Sequence, residues 1–264
     1  MSRHIQGKKI LITGASSGIG KSIAELAAQK GADLYLLARR EEALQELSAS
    51  LQAKYGIHCS WYTADVSDTS VLQGVLDRIL ADSGGIDILV NNAGFGVFRS
   101  FEEATLEEME NMFAVNVFGL VACTKGMLPS MQKKGSGHII NIASQAGKIA
   151  TPKSSLYAAT KHAVLGFTNS LRMEVKDAGI YVTAVNPGPI KTEFFDHADK
   201  SGQYVKNIER YMLLPQEVAQ KVVNAMLTPK REINLPGWMS AGSVAYQLFP
   251  GLFERLAGRA FSKK

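Results

Sequence analysis

Lys9-Ile-Leu-Ile-Thr13-Gly14-Ala-Ser-Ser-Gly18-Ile-Gly20 is the stretch whose reading decides the fold. Lys9–Thr13 is a continuous apolar run, as expected of a strand buried on both faces. Gly14, Ser16, Ser17, Gly18, Ile19 and Gly20 belong to a glycine-rich turn. Residues 19–30 then follow with helical periodicity, and Gly31 ends that helix. Glycines between a strand and a helix permit a tight turn, close approach of backbone to a pyrophosphate, and close helix–strand packing. The helix N-terminus offers free N–H groups and positive dipole to phosphates, and Ser16 and Ser17 could add hydroxyl donors. The spacing is not the common Gly-x-Gly-x-x-Gly, so a purely structural turn is the competing reading.

The same rhythm continues along the chain. Strands are expected at 34–38, 59–64, 86–90, 138–143, 180–185 and 232–235. Helices are expected at 41–55, 69–81 (capped by Ser67 or Asp68), 106–133, 154–176 and 216–227. The helix over 106–133 reads as interrupted near residues 116–119. Strands alternating with helices imply right-handed βαβ units and a parallel sheet. The expected fold is α/β: a Rossmann-type, doubly wound, parallel seven-stranded sheet with helices on both faces, binding ligands beyond the carboxyl ends of the strands. No linker or repeat divides residues 1–264, which read as one dinucleotide-binding domain.

Composition narrows the function. The chain has 264 residues, 46% hydrophobic and 20% charged, enough for one full core. The net charge of +5 is scattered in pairs such as Lys8/Lys9, Lys133/Lys134, Lys230/Arg231 and Lys263/Lys264. No basic run interleaved with aromatics appears, which argues against nucleic acid and suits an anionic small molecule. Cys59 and Cys123 read as buried thiols of a reducing compartment. The polar residues 1–9 lack the apolar core of a signal peptide, and no run reads as a transmembrane segment, so a cytoplasmic location is expected.

Two further features carry chemistry. Tyr157 and Lys161 lie four positions apart on an expected helix, hence on one face. An ammonium beside a phenol favours the phenolate, so the pair could exchange a proton at working pH. At the end of the second strand, where an acid would accept from a ribose 2′-hydroxyl, stand Arg39 and Arg40. A guanidinium fits phosphate geometry, so NADP(H) is expected as cofactor over NAD(H).

With these residues in view, the chain resembles a classical short-chain dehydrogenase/reductase over about residues 7–235. The match comprises Thr-Gly-x-x-x-Gly-x-Gly at 13–20, Asp65, Asn91-Asn92-Ala93-Gly94, Asn116, Ser144, the Tyr157/Lys161 pair, and Pro187-Gly188-Pro189-Ile190-Lys191-Thr192. Ala143 stands where the family often has a second serine. The resemblance implies a catalytic tetrad. Tyr157 would be the general acid/base, and Lys161 would lower the phenol pKa and hold the nicotinamide ribose. Ser144 would polarise the substrate oxygen, and Asn116 would hold a relay water. It further implies that Asp65 and Val66 border the adenine and that Asn92, Ala93 and Gly94 line the cofactor channel. Pro187, Gly188, Ile190 and Thr192 would close on the nicotinamide. The expected activity is hydride transfer between NADP(H) and a small carbonyl or secondary alcohol substrate. The rival readings are a non-catalytic redox sensor or scaffold of the same fold and a sugar epimerase.

Beyond Thr192 a substrate lid is expected around 192–213, with a plain solvated loop as the alternative. The tail 238–264 carries Phe249, Leu252, Phe253 and Leu256, read as packing or an oligomer contact. A membrane-surface role with Arg255, Arg259, Lys263 and Lys264 is the weaker alternative. Met109, Met112, Phe113 and His162 read as structural. A homodimer or homotetramer paired through long helices is expected.

Overall fold

The computed structural model describes residues 4–199 and 202–261. Lys263 and Lys264, residues 200–201 of the expected lid, and the side chains of Leu256 and Arg259 lie outside the described residues. Strands β1 (Lys9–Thr13), β2 (Asp33–Ala38), β3 (Cys59–Thr63), β4 (Ile88–Asn91), β5 (Gly137–Ile142), β6 (Ile180–Pro187) and β7 (Glu232–Leu235) form one sheet. Its order is β3-β2-β1-β4-β5-β6-β7, and all neighbours are parallel. The winding reverses between β1 and β4, which opens a crevice at the carboxyl ends of those strands.

Helices cover both faces because each central strand buries both of its own. Side chains alternate across a strand, so Ile10 and Ile12 of β1 point one way and Leu11 the other. Ile10 and Ile12 share a core with Ile23 and Ala27 of α1 (Gly18–Gln29), Leu44 and Leu47 of α2 (Glu41–Tyr55), and the helix Pro215–Ala225. Leu11 and Leu89 pack with Leu72 and Leu76 of α3 (Thr69–Ser83) and with Cys123 and Met127. Asp68 caps α3, its carboxylate accepting from Val71 N–H at 3.1 Å.

The expected interruption near 116–119 is a π-helical turn, Ala114–Gly119, joining α4 (Leu106–Phe113) to α5 (Leu120–Lys134). The joined helix Leu106–Lys134 is long and apolar enough to cross a membrane by length and composition, which corrects the expectation that no run is. Polar residues interrupt any unbroken apolar run, yet an 18-residue window within it has a mean hydropathy of 1.4. Its Cys123, Met127 and Met131 are fully buried against the sheet. Cys59 and Cys123 are buried free thiols, and burial pushes Cys59 up to about 11.

After α6 (Ser155–Glu174) and β6, residues 192–213 contain two short helices, α7 (Phe194–Ala198) and α8 (Gln203–Ile208), too brief to leave a periodic signature. The helix Pro215–Ala225 is α9. The tail forms α10 (Gly237–Leu248) and α11 (Pro250–Phe261). α10 carries no charged residue, and Trp238, Val244 and Leu248 are exposed on it.

Candidate active site

The glycine-rich turn is built for close approach. Gly14 and Gly18 adopt φ +64 and +53, and a Cβ on Gly20 would sit 2.3 Å from the Gly14 carbonyl oxygen. The turn is pinned to the end of β4. Thr13 Oγ1 accepts from the N–H groups of Asn92 and Ala93, both at 3.0 Å. Asn92 Nδ2 donates to the Thr13 and Gly14 carbonyls at 3.0 and 3.1 Å. No side chain caps the start of α1 and no acid sits in its first turn, which suits an anion there.

Beside the turn, both arginines stand at the end of β2. The Arg39 guanidinium pairs with Asp65 at 3.5 Å, largely in solvent. Partial burial works to raise the Asp65 carboxyl, but hydrogen bonds from the Ser67 hydroxyl and N–H, with Arg39, hold it below its ordinary value. Arg40 Nε donates to Ser16 Oγ at 3.3 Å, and its NH1 pairs with Glu193 at 3.2 Å. Arg40 thus bridges the turn and the segment leading into α7.

The other end of the crevice holds the proton chemistry. Ser144 follows β5 and caps a short 3-10 turn, accepting from Ala146 N–H at 3.0 Å. Tyr157 and Lys161 lie one turn apart on α6, both buried. The Lys161 ammonium is 5.7 Å from the Tyr157 ring centroid and donates to the Ile142 carbonyl at 2.9 Å. Burial pushes the Tyr157 phenol above its ordinary value, while a hydrogen bond with Ser144 pulls the other way. The net direction is upward, opposite to the lowering expected from an adjacent ammonium, because desolvation disfavours the phenolate. Burial also lowers Lys161 to about 8.

Asn116 occupies the π turn, and its amide is fully engaged. Its Oδ1 accepts from Phe95 N–H at 3.0 Å, and its Nδ2 donates to the Phe95 carbonyl at 2.9 Å and to Thr160 Oγ1 at 3.1 Å. The side chain therefore holds the segment after β4 against α6. Gln145 Nε2 donates to the Asn186 carbonyl at 2.8 Å, tying the Ser144 turn to the start of the Pro187–Thr192 segment.

One groove of about 950 Å³ joins these parts. Among the sequence-predicted site residues, all border it except Gly20 and Asn116, which sit behind its wall. Met109, Met112, Phe113 and His162 do not line it, in keeping with their structural reading. Gln145, Phe98, Tyr204 and Trp238 line it without having been singled out. Phe98 and Tyr204 sit in irregular or short elements whose sequence carries no motif. Trp238 opens the tail, for which packing, an oligomer contact or, more weakly, a membrane-surface role is expected from the sequence; the first turn of α10 borders the groove.

A family model described as short chain dehydrogenase matches residues 8–202. The NADP-dependent 3-hydroxy acid dehydrogenase of Schizosaccharomyces pombe is 37% identical over 233 residues, which cover 86% of this chain and 89% of that protein. L-Sorbose reductase from Gluconobacter frateurii, solved with NADPH and L-sorbose, superposes with TM-score 0.79 at 30% identity, covering 90% of this chain and 98% of that one. A short chain dehydrogenase/reductase from Burkholderia phymatum, solved with NAD, gives TM-score 0.86 at 26% identity over 96% of each chain. With its motif residues gathered along one groove and its family model spanning most of the chain, the protein belongs to the short-chain dehydrogenase family.

Proposed function

We propose that the protein is an NADP(H)-dependent reductase of small-molecule carbonyls, also able to oxidise the corresponding secondary alcohols. The observation that carries this reading is a single groove with Arg39 and Arg40 at one end and Ser144, Tyr157 and Lys161 at the other. The glycine cradle, which a Cβ would fill, fits a pyrophosphate. With no acid at the end of β2 and two guanidiniums beside it, a 2′-phosphate is favoured over a bare ribose hydroxyl. NADPH, when bound, supplies the hydride for the carbonyl carbon.

The chain's own residues manage the oxygen. Burial keeps Tyr157 protonated, the state needed to donate as the carbonyl oxygen gains electrons. Ser144, which lines the same end of the groove, offers the oxygen a second donor. Lys161 places positive charge near the tyrosinate left behind. The segment 192–213 serves as a lid over this end, with Phe194 and Phe195 lining the groove. Assembly into a homodimer or homotetramer would cover exposed apolar residues on the long helices, Phe118 beside α5 and Met173 on α6.

The test is NADPH oxidation, followed by absorbance, with a panel of diketones, quinones and simple ketones. Turnover with NADPH above that with NADH supports the proposal. Tight NADPH binding with no turnover on any carbonyl favours the redox-sensor reading instead.

A further inference from the structure

We infer that the substrate is a ketone, or the matching secondary alcohol, carrying one extended or ring-bearing apolar substituent, and that polyol substrates are rejected. This rests on the reductase reading above and specifies its substrate class. The Tyr157 ring is part of an aromatic cluster. Its centroid lies 5.6 Å from Phe98 and 5.8 Å from Phe194. Phe98 in turn lies 6.1 Å from Phe195 and 5.3 Å from Tyr204. Any carbonyl hydrogen-bonded to Tyr157 therefore has its substituents against these rings. Ile149, Trp238 and Met239 add further apolar lining.

The carboxylates are distributed unevenly, while Gln145, Thr151, Ser154, His197, Asn207 and Arg210 also line the groove. Among the described residues, the only acids lining the groove are Asp65 and Glu193. Both are engaged at the arginine end, Asp65 with Arg39 and Glu193 with Arg40. No carboxylate borders the aromatic end to accept from sugar hydroxyls. A hydroxyl stripped of water without a partner is costly, whereas each methylene buried there is favourable. The cluster is held in place by the backbone: Phe98 N–H donates to the Ala198 carbonyl at the end of α7, at 2.9 Å. The apolar wall thus spans the loop after β4 and the segment after β6, two parts of the chain about 100 residues apart, a separation typical of sites assembled only on folding.

The experiment measures kcat/KM with saturating NADPH for 2-butanone, 2-hexanone and 2-octanone, with L-sorbose and a small diketone alongside. At about 0.8 kcal/mol per buried methylene, kcat/KM rises about fourfold per added carbon, and the ketose falls far below 2-octanone. Phe98→Ala and Trp238→Ala should each compress the 2-octanone to 2-butanone ratio about fivefold or more. Trp238 is exposed, so its variant tests the wall even if Phe98→Ala fails to fold. A flat chain-length series, or preference for the ketose, with the diketone still turned over, overturns the apolar class and leaves the reductase reading standing. If no carbonyl oxidises NADPH, the reductase reading fails. Calorimetric binding to the NADP⁺-loaded protein then decides: 2-octanone binding more tightly than 2-butanone supports the apolar site, and equal binding overturns it.

Discussion

Asn116 clasps Phe95 by both of its backbone groups, accepting from its N–H at 3.0 Å and donating to its carbonyl at 2.9 Å. The amide is buried, and its remaining N–H goes to Thr160 on α6. Asn116→Ala leaves those partners unsatisfied at about 1–3 kcal/mol each, partly recovered by water. The expected result is a fall in Tm of several degrees and misplacement of the loop leading to Phe98. Calorimetry checks the first. If Tm is unchanged, the clasp contributes nothing to the fold.

Tyr157→Phe should abolish nearly all turnover while leaving NADPH affinity within about twofold, because only the hydroxyl that donates the proton is lost. Single-turnover kinetics and fluorescence titration of NADPH provide the two readouts. More than a tenth of wild-type kcat remaining would assign the proton to another group.

Arg39→Leu should weaken NADPH about tenfold to a hundredfold, since a hydrogen bond to a charged group is worth about 1.5–3 kcal/mol. NADH affinity should stay nearly unchanged. Both constants must be taken at one ionic strength, because the Arg39 guanidinium is largely solvent-exposed and its charge is screened by salt. Equal weakening of both cofactors would mean that Arg39 holds the common part of the dinucleotide. Better NADH binding by the wild type would reverse the cofactor assignment.

Gly20→Ala tests the cradle. The added Cβ would meet the Gly14 carbonyl oxygen at 2.3 Å, so the turn must open. NADPH binding should be lost at concentrations that saturate the wild type, with the far-UV circular dichroism retained. Unaltered binding would show that the turn is not the pyrophosphate site.

His138 gives a pH prediction for stability. Its ring is fully buried, and burial pulls it down to about 3. Leu227 N–H donates to Nδ1 at 2.9 Å, so Nε2 carries the proton and donates to Thr183 Oγ1 at 2.8 Å. The unfolded chain binds a proton near pH 6.5 that the folded chain refuses until about 3, so stability falls as pH drops through this window. The slope approaches about 1.4 kcal/mol per pH unit between pH 6 and 5, above the range where Asp87 and Glu232 lose their charges. Urea unfolding across that interval measures it. His138→Gln should be less stable at pH 7 and should lose most of the slope; an unchanged slope would place the titration elsewhere.

Unlike α7, α8, α10 and α11, the seven strands, helices α1 to α6 and α9, the glycine turn, the arginines after β2 and the Tyr157/Lys161 pair were legible in the linear sequence. Each rests on short-range periodicity, local backbone conformation or residue spacing. A strand buried on both faces must be apolar throughout, as Ile10, Leu11 and Ile12 are, and i,i+4 residues share a helix face wherever that helix docks. Only the tertiary structure decided the state of Tyr157. Its upward shift comes from burial under chain segments distant in sequence, whereas the neighbouring Lys161 alone suggested the opposite. The use of Asn116 as a clasp on Phe95 and the aromatic wall joining Phe98, Phe194 and Tyr204 were likewise set by contacts between distant segments. The role of Trp238 followed from where α10 packs, since nothing in the composition of a tail says which side of the sheet it will meet. Local rules write elements and motifs into a sequence, while desolvation and the partners of a buried polar group exist only after the chain has closed on itself.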